Sequence, residues 1–338
     1  MIKIDGSEGE GGGQVLRYAC ALSLLTGEPF TIEKIRAGRD QPGLMRQHMT
    51  AIEAACTVSG AKCEGLELGS NSIAFHPGRV QPGEYRFAVG TAGSTALVLQ
   101  TLLVPLALAD APSRLVIEGG THAAMAPPFD FMAGCFLPVF ARMGPQVSAT
   151  IKRHGFFPRG GGRIEIEIEP APLRQIECLD RGDPVSRSGT VLFASLDGEI
   201  TRRIRKAALK HLPGWTEDDI AIRKLPADQG PGVALVLEAA FEHVTEVVSG
   251  FGKLGLSAEK IGATAGKRMA GYEASGAFAG PYLQDQLLLP MAIAGGGSFT
   301  SVKISEHTRT AASLIERFTG RTTKFGADEG GRQVVEVG

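Results

Sequence analysis

The chain has 338 residues, room for two or three domains' worth of core, and a net charge of −1, so any nucleic-acid contact must come from a local basic patch. Its 45 glycines and 19 prolines accompany a hydrophobic fraction of 43%, which excludes disorder and indicates many tight turns. Five cysteines without a C-x-x-C pair argue against zinc and against a secreted disulfide framework. With no signal-peptide pattern and no uninterrupted apolar run of spanning length, a soluble, cytoplasmic protein is the expectation.

A short strand over 2–4 runs into a glycine-rich turn, DGSEGEGGGQ. A helix over 14–25 and a strand over 30–35 follow. A basic turn, RAGRDQPGLMRQH, leads into a second helix with Met45, Met49, Ile52 and Cys56 on one face. Strand-like segments near Cys63 and Ile73 close the unit.

The pattern recurs. A strand over 85–89, a glycine turn over 90–93 and an apolar helix over 94–108 precede a strand over 114–118, a helix over 127–143 and a strand over 147–152. A third copy takes the helix over 285–294, the strand over 299–304, the helix after His307 and the strand over 334–337. Ile32, Ile117 and Ile304 occupy matching middle strands. The second interval exceeds the first by about 100 residues, the size of a small domain. The excess falls at 183–275, which has its own strands, helices and a hairpin over 233–248.

The expected fold is therefore α+β. Three sheet-plus-two-helix units form a large domain over 1–182 and 276–338, helices inward and sheets outward, and 183–275 is an inserted small α/β domain. The strand over 2–4 is expected to complete the sheet of the last unit, bringing the termini together.

Four places carry candidate chemistry. GEGGGQ at 9–14 lets backbone approach a ligand and opens a helix. It lacks the spacing of a P-loop or a dinucleotide fingerprint. Glu10 within it is read equally well as a solvated turn residue and as a metal ligand beside a phosphate. The basic turn holds Arg36, Arg39, Arg46, Gln47 and His48 with one acid, Asp40. Arginines before a helix start suit phosphate, because each guanidinium can bind in a bidentate way. Gln100 interrupts the apolar run LVLQTLLVPLALA and must hydrogen-bond, either between helices or into a ligand cavity.

His307 lies where a strand turns into a helix whose apolar stripe is Ala311, Leu314, Ile315 and Phe318. A helix N-terminus seats a phosphate and favours a neutral imidazole, whose ring nitrogen keeps the lone pair a nucleophile needs. Two other motifs are weaker. Lys3-Ile4-Asp5-Gly6 spells the K-x-D-G of lysine-adenylating ligases, but no K-x-K follows, and Lys3 reads as a strand-edge residue. RHGFFP with GGG at 160–162 is read either as a nucleic-acid loop or as a turn between strands.

Taken together, DGSEGEGGGQVLR, RAGRDQPGLMRQH, GTAGSTALVLQT, APPFDF, RHGFFPRGGG, LPADQGPG, YLQDQLLLPMA and SEHTRT resemble the RNA 3′-terminal phosphate cyclase family over nearly the whole chain. The resemblance implies a ligase that consumes ATP. A histidine is adenylated, AMP passes to an RNA 3′-phosphate, and the 2′-hydroxyl closes a 2′,3′-cyclic phosphate. A phosphate monoester is a poor electrophile, and adenylation supplies the leaving group.

By the same resemblance, His307 is the adenylated residue. Gln100, Tyr282, Leu283, Gln284, Asp285 and Gln286 belong to the ATP site, and Glu10 binds a divalent metal, Mg or Mn. Arg17, Arg36, Arg39, Gln47 and His48 surround the phosphates. The adenine-stacking residue stays open, with Phe251 near the expected place. Ala311 stands where relatives often have asparagine. The implied partner is RNA with a 3′-terminal phosphate and no membrane; the oligomeric state is open, a homodimer being one option.

Three rivals remain. A catalytically inert cyclase-like protein of RNA or ribosome assembly would lack the histidine, so His307 opposes it. Enolpyruvyl transferases share the repeat architecture but need no enzyme–AMP. A non-catalytic RNA-binding module leaves Glu10 and Asp285 without a role.

Overall fold

The computed structural model describes residues 1–338. The chain opens with β1 (Ile2–Asp5), α1 (Gly13–Thr26), β2 (Phe30–Glu33), α2 (Arg46–Ser59), β3 (Lys62–Glu64) and β4 (Ile73–His76). Next come β5 (Glu84–Ala88), α3 (Thr95–Ala107) and β6 (Ser113–Gly119). One helix with a π-helical turn in it follows: α4 (Phe129–Phe131), the π-helical turn (Met132–Phe136) and α5 (Leu137–Ala141). Then β7 (Gln146–Arg153) and β8 (Gly162–Glu169) form a hairpin.

After β9 (Ile176–Cys178) the chain builds β10 (Pro184–Ala194), α6 (Gly198–Leu209), β11 (Ile220–Lys224), β12 (Gly232–Phe241), β13 (Thr245–Phe251) and α7 (Ala258–Ser275). It closes with α8 (Leu283–Ala294), β14 (Gly297–Ser301), α9 (Glu306–Thr319), β15 (Thr323–Ala327) and β16 (Gln333–Val337).

Three of the four sheets share one order, β1-β2-β4-β3, β5-β6-β8-β7 and β9-β14-β16-β15. In each, the first two strands are parallel and the last two join antiparallel. A parallel pair needs a crossover, and the helices α1, α3 and α8 lie on those connections. The class is α+β.

Strands β7 and β8 alternate in exposure along their length, so their sheet has one face toward water. Helix α3 is buried on nearly every side, with Gln100 only partly covered. One continuous core runs through α1, α2, α3, α8, α9 and the inner sheet faces. A second core, from Val191 to Tyr272, lies between α6, α7 and the sheet β11-β10-β12-β13.

One expectation is overturned. The strand over 2–4 does not complete the last sheet: β1 pairs with β2, Ile2 opposite Phe30 and Asp5 opposite Glu33. Its place in the last sheet belongs to β9, parallel to β14. The reason is local, because β1 feeds α1, and that crossover returns the chain to the same sheet.

The helix expected over 127–143 runs without a gap from Phe129 to Ala141, and its middle widens into a π-helical turn before Pro138, which has no N–H for the helical ladder. The strand expected over 299–304 ends at Ser301, and α9 begins at Glu306, which puts His307 in the first helical turn.

Candidate active site

Helix α9 starts where α8 holds it. Ser305 caps α9, its Oγ accepting from Thr308 N at 3.1 Å. Gln284 of α8 grips the same turn. Its Oε1 accepts from Ser305 N at 3.2 Å and from Thr308 Oγ1 at 2.9 Å, and its Nε2 donates to the Lys303 carbonyl at 3.1 Å. This clamp presents an exposed His307 ring at the helix start.

The ring is oriented from behind by Gln14, at the first turn of α1. His307 Nδ1 lies 2.9 Å from Gln14 Oε1. The Gln14 amide cannot be turned round, because its Nε2 donates to His307 O at 3.1 Å and to Asp285 Oδ2 at 3.2 Å. Its oxygen therefore faces Nδ1, which must carry the proton. Nε2 is left with a free lone pair on the exposed side.

Asp285 is the hub of this network. Gln286 Nε2 donates to Asp285 Oδ2 at 3.0 Å, and Gln100 Nε2 donates to Gln286 Oε1 at 2.7 Å. The Tyr18 hydroxyl donates to the Asp285 main-chain carbonyl. Burial pushes the Asp285 carboxyl up, while the His307 ring and the Arg17 charge pull the other way. Burial also brings Arg17 down to about 10, which leaves it cationic at neutral pH. Side chains from α1, α3, α8 and α9 thus join in one hydrogen-bonded chain from Gln100 to His307.

The glycine turn packs against the same corner. Glu10 N donates to Thr310 Oγ1 at 3.0 Å, so the turn is tied to α9 one helical turn beyond the histidine. Gly9, at φ +61°, faces that hydroxyl so closely that a Cβ would lie 2.3 Å from it. A Cβ on Gly13 would lie 2.4 Å from His48 Nε2. Glycine at 13 is what lets His48 reach the turn.

His48 is buried, and burial together with the Arg17 and Arg36 charges holds it down at about 3. Its Nδ1 accepts from Met45 N at 3.1 Å, so the proton sits on Nε2. It offers a donor at the turn, and no lone pair for attack.

The basic turn divides in role. The Arg39 guanidinium forms an ion pair with Glu10. Arg36, at φ +54°, donates through Nη1 to the carbonyls of Gln41 at 2.7 Å and Gly43 at 2.8 Å. It braces its own loop. Gln47 lies against Gly93 of the loop before α3.

Tyr282 is 40% exposed, packs edge-on against Phe131 with centroids 6.3 Å apart, and accepts from Arg268 Nη1 at 3.2 Å. Leu283 is part of the hydrophobic core, and the polar atoms of Gln284 are committed to α9. Neither side chain is free for a ligand. Phe251 stands apart on the wall of a larger cleft.

The sequence reading missed Gln14 as a functional residue. Its only local signal is its place at the end of GEGGGQ.

The family model described as RNA 3′-terminal phosphate cyclase matches residues 8–325. An RNA 3′-terminal phosphate cyclase of Koribacter versatilis (strain Ellin345) is 52% identical over 319 residues, covering 94% of this chain and 90% of the relative. The protein of the same name from Ralstonia nicotianae is 48% identical over 319 residues, covering 94% and 91%. The crystal structure of the enolpyruvyl transferase NikO from Streptomyces tendae overlaps half of this chain at 15% identity with a TM-score of 0.29, too loose a likeness to carry an argument. By family model and by near-full-length relatives, this chain belongs to the RNA 3′-terminal phosphate cyclase family.

Proposed function

We propose that the chain uses ATP to convert an RNA 3′-terminal phosphate into a 2′,3′-cyclic phosphodiester, with His307 as a covalent nucleophile. One observation carries this reading: Nδ1 is locked to Gln14, which leaves the lone pair of Nε2 facing outward.

His307 Nε2 attacks the α-phosphorus of ATP, the N–P bond forms and pyrophosphate leaves. The imidazolium so formed keeps its Nδ1 proton against Gln14 Oε1, with the Asp285 carboxyl one hydrogen bond behind. Gln100 and Asp285, held by Gln286 between them, offer polar contacts for the nucleoside, and Tyr282 offers an aromatic face for adenine. An oxygen of the RNA 3′-phosphate then attacks the adenylate phosphorus and Nε2 leaves, giving a mixed anhydride. The neighbouring 2′-hydroxyl attacks the 3′-phosphorus and AMP departs. That last step is intramolecular, so proximity supplies much of its rate. Arg17, Arg39 and the Nε2–H of His48 are the donors available to the phosphates.

No cluster of three or more His, Cys, Asp or Glu side chains is arranged as a metal cage. Glu10 is a single carboxylate at the glycine turn, and this fits a magnesium-type ion that takes its other ligands from phosphate oxygens and water. Such an ion would neutralise charge on the phosphates, with Glu10 released from its pair with Arg39 to hold it.

The test is incubation with α-labelled ATP and Mg or Mn. Label retained on denatured protein, lost in acid and stable in base, is expected for a phosphoramidate. Cyclisation of RNA by a wild-type chain that never carries label would overturn covalent catalysis. His307 also separates this reading from an inert cyclase-like protein, which would form no adduct.

A further inference from the structure

A cleft of about 810 Å³ opens between the first two sheet-and-helix units and the inserted sheet. Its walls come from the start of α2, the loops over 91–94, 122–126 and 156–158, and the facing ends of β12 and β13. His307, Asp285 and Gln100 do not line it.

The surface of this cleft is unusual in two ways. Only nine large apolar side chains are exposed anywhere on the protein, and four of them, Met45, Leu68, Met125 and Phe157, gather here. Met125 is 85% and Phe157 66% exposed. A concentration of this kind marks a binding surface. Second, no acidic side chain lines the cleft, and its charged residues are Arg46 and Lys253.

The ligand is therefore one with apolar faces and negative charge, the chemistry of single-stranded nucleic acid. Bases stack on aromatic and apolar side chains while cations track the backbone. The cleft also borders the basic turn. Arg46 and Gln47 line it, and the next residue, His48, turns inward to Gly13 and the corner that holds His307.

We propose that this cleft holds the nucleotides on the 5′ side of the terminal phosphate as an unstacked strand, with Phe157 and Met125 taking bases and Arg46 and Lys253 taking backbone phosphates. Its volume suits about two nucleotides. The proposal rests on the cyclase reading for the identity of the RNA end, and it adds where the rest of the strand lies.

The experiment compares two substrates, a ten-nucleotide RNA ending in a 3′-phosphate and a nucleoside 3′-phosphate, which can place at most one base in the cleft. In the double variant Phe157→Ala/Met125→Ala, the ratio of kcat/KM for the ten-mer to that for the nucleoside 3′-phosphate should fall about tenfold or more, since each lost stacking contact is worth about that much. Formation of enzyme–AMP from ATP reports that the variant is folded. Binding of a fluorescein-labelled ten-mer with a 3′-hydroxyl should weaken in parallel. In Lys253→Ala its dependence on salt should lose about one phosphate contact.

An unchanged substrate ratio overturns the proposal. So does an equal loss with both substrates, which would assign the cleft to the nucleotide chamber. If the ratio is unchanged but the double variant changes its sedimentation, the apolar face is a contact between copies, and the proposal again fails. The direct binding arm separates this inference from the cyclase reading. A wild type that forms no adduct but loses ten-mer binding in the double variant keeps the cleft and sinks the chemistry.

Discussion

The corner around His307 and the cleft beyond α2 are built on opposite principles. The corner is a chain of short polar contacts between neighbouring helices, in which Gln100, Gln286, Asp285, Gln14 and His307 each fix the next. The cleft has a wall of exposed apolar side chains and two cations. A buried polar network is over-determined, so each member must hold one geometry. An apolar wall tolerates many poses, which suits a strand of any sequence. On the proposed reading, the difference teaches where demands on shape are strict: at the atom that reacts, and not along the strand that delivers it.

The largest effect should come from the reacting atom. His307→Ala and His307→Asn should both abolish the enzyme–AMP adduct and ATP-dependent cyclisation, since neither side chain offers a nitrogen lone pair. The alanine variant should still cyclise RNA supplied as the 3′-adenylyl anhydride, because that step has an intramolecular nucleophile. Protein-bound AMP on His307→Ala would move the nucleophile elsewhere. His48 is a poor substitute, because its Nδ1 already accepts from Met45 N, and Lys3 is an exposed residue of β1.

Next is the orienting amide. Gln14→Ala leaves the imidazole free to turn and to change tautomer. Loss of the partner that orients a metal-ligating histidine costs about 10- to 100-fold, and a loss of that size is expected for this reacting one. The rate of adduct formation should fall by that factor while KM for ATP changes little. A rate within twofold of wild type would show that the network is only structural.

The two arginines of the basic turn should separate. Arg39→Ala removes the guanidinium that pairs with Glu10 at the glycine turn, and use of 3′-phosphorylated RNA should drop by about one to two decades, from 1.5–3 kcal/mol for a charge-assisted contact. Arg36→Ala removes the brace on Gln41 and Gly43. Its first sign should be a lower Tm. Equal kinetic losses in both variants would mean that Arg36 also reaches the phosphate. Glu10→Ala belongs to the same corner and should slow adduct formation by weakening its dependence on Mg or Mn; unchanged metal dependence would remove Glu10 from the site.

The smallest effect on chemistry should come from the anchor of α8. Glu246 on β13 is fully buried, and its Oε2 accepts from Gly280 N at 3.2 Å, two residues before Tyr282. Burial pushes this carboxyl up to about 8 from 4.5. The folded chain keeps the proton over a range where the unfolded chain has lost it, so stability falls as pH rises from about 4.5 to about 8 and is level above that. Glu246→Gln keeps the acceptor without the charge and should remove up to about 5 kcal/mol of that fall, at 1.36 kcal/mol per unit. Denaturant unfolding of both proteins at pH 5 and pH 8 checks this; identical pH slopes would refute it. Activity at pH 7 should stay within twofold.

Much of the architecture was legible along the chain. Ala311, Leu314, Ile315 and Phe318 spell the buried stripe of α9, and all four are buried. The recurrence of Ile32, Ile117 and Ile304 is matched by three sheets of one strand order, although only Ile32 and Ile117 lie within strands. These features arise from contacts within a few residues, which periodicity records directly. The candidate histidine, the glycine turn and the basic turn were visible as motifs for the same reason.

Tertiary structure alone decided what those residues touch. Gln14 and His307 are separated by most of the chain, and only the packing of α1 against α9 brings the amide to the ring and chooses the tautomer. Gln284 reads like its neighbours Asp285 and Gln286, yet it faces the cap of α9 instead of the network, because residues one apart on a helix point in different directions. Arg36 reads like Arg39, and the curl of the loop turns one to its own carbonyls and the other to Glu10. The exposure of Met125 and Phe157 has no local signature either. An apolar side chain looks the same in a sequence whether it is buried or stands in a cleft, and only the packing of β12 and β13 beside the loops over 122–126 and 156–158 settles which.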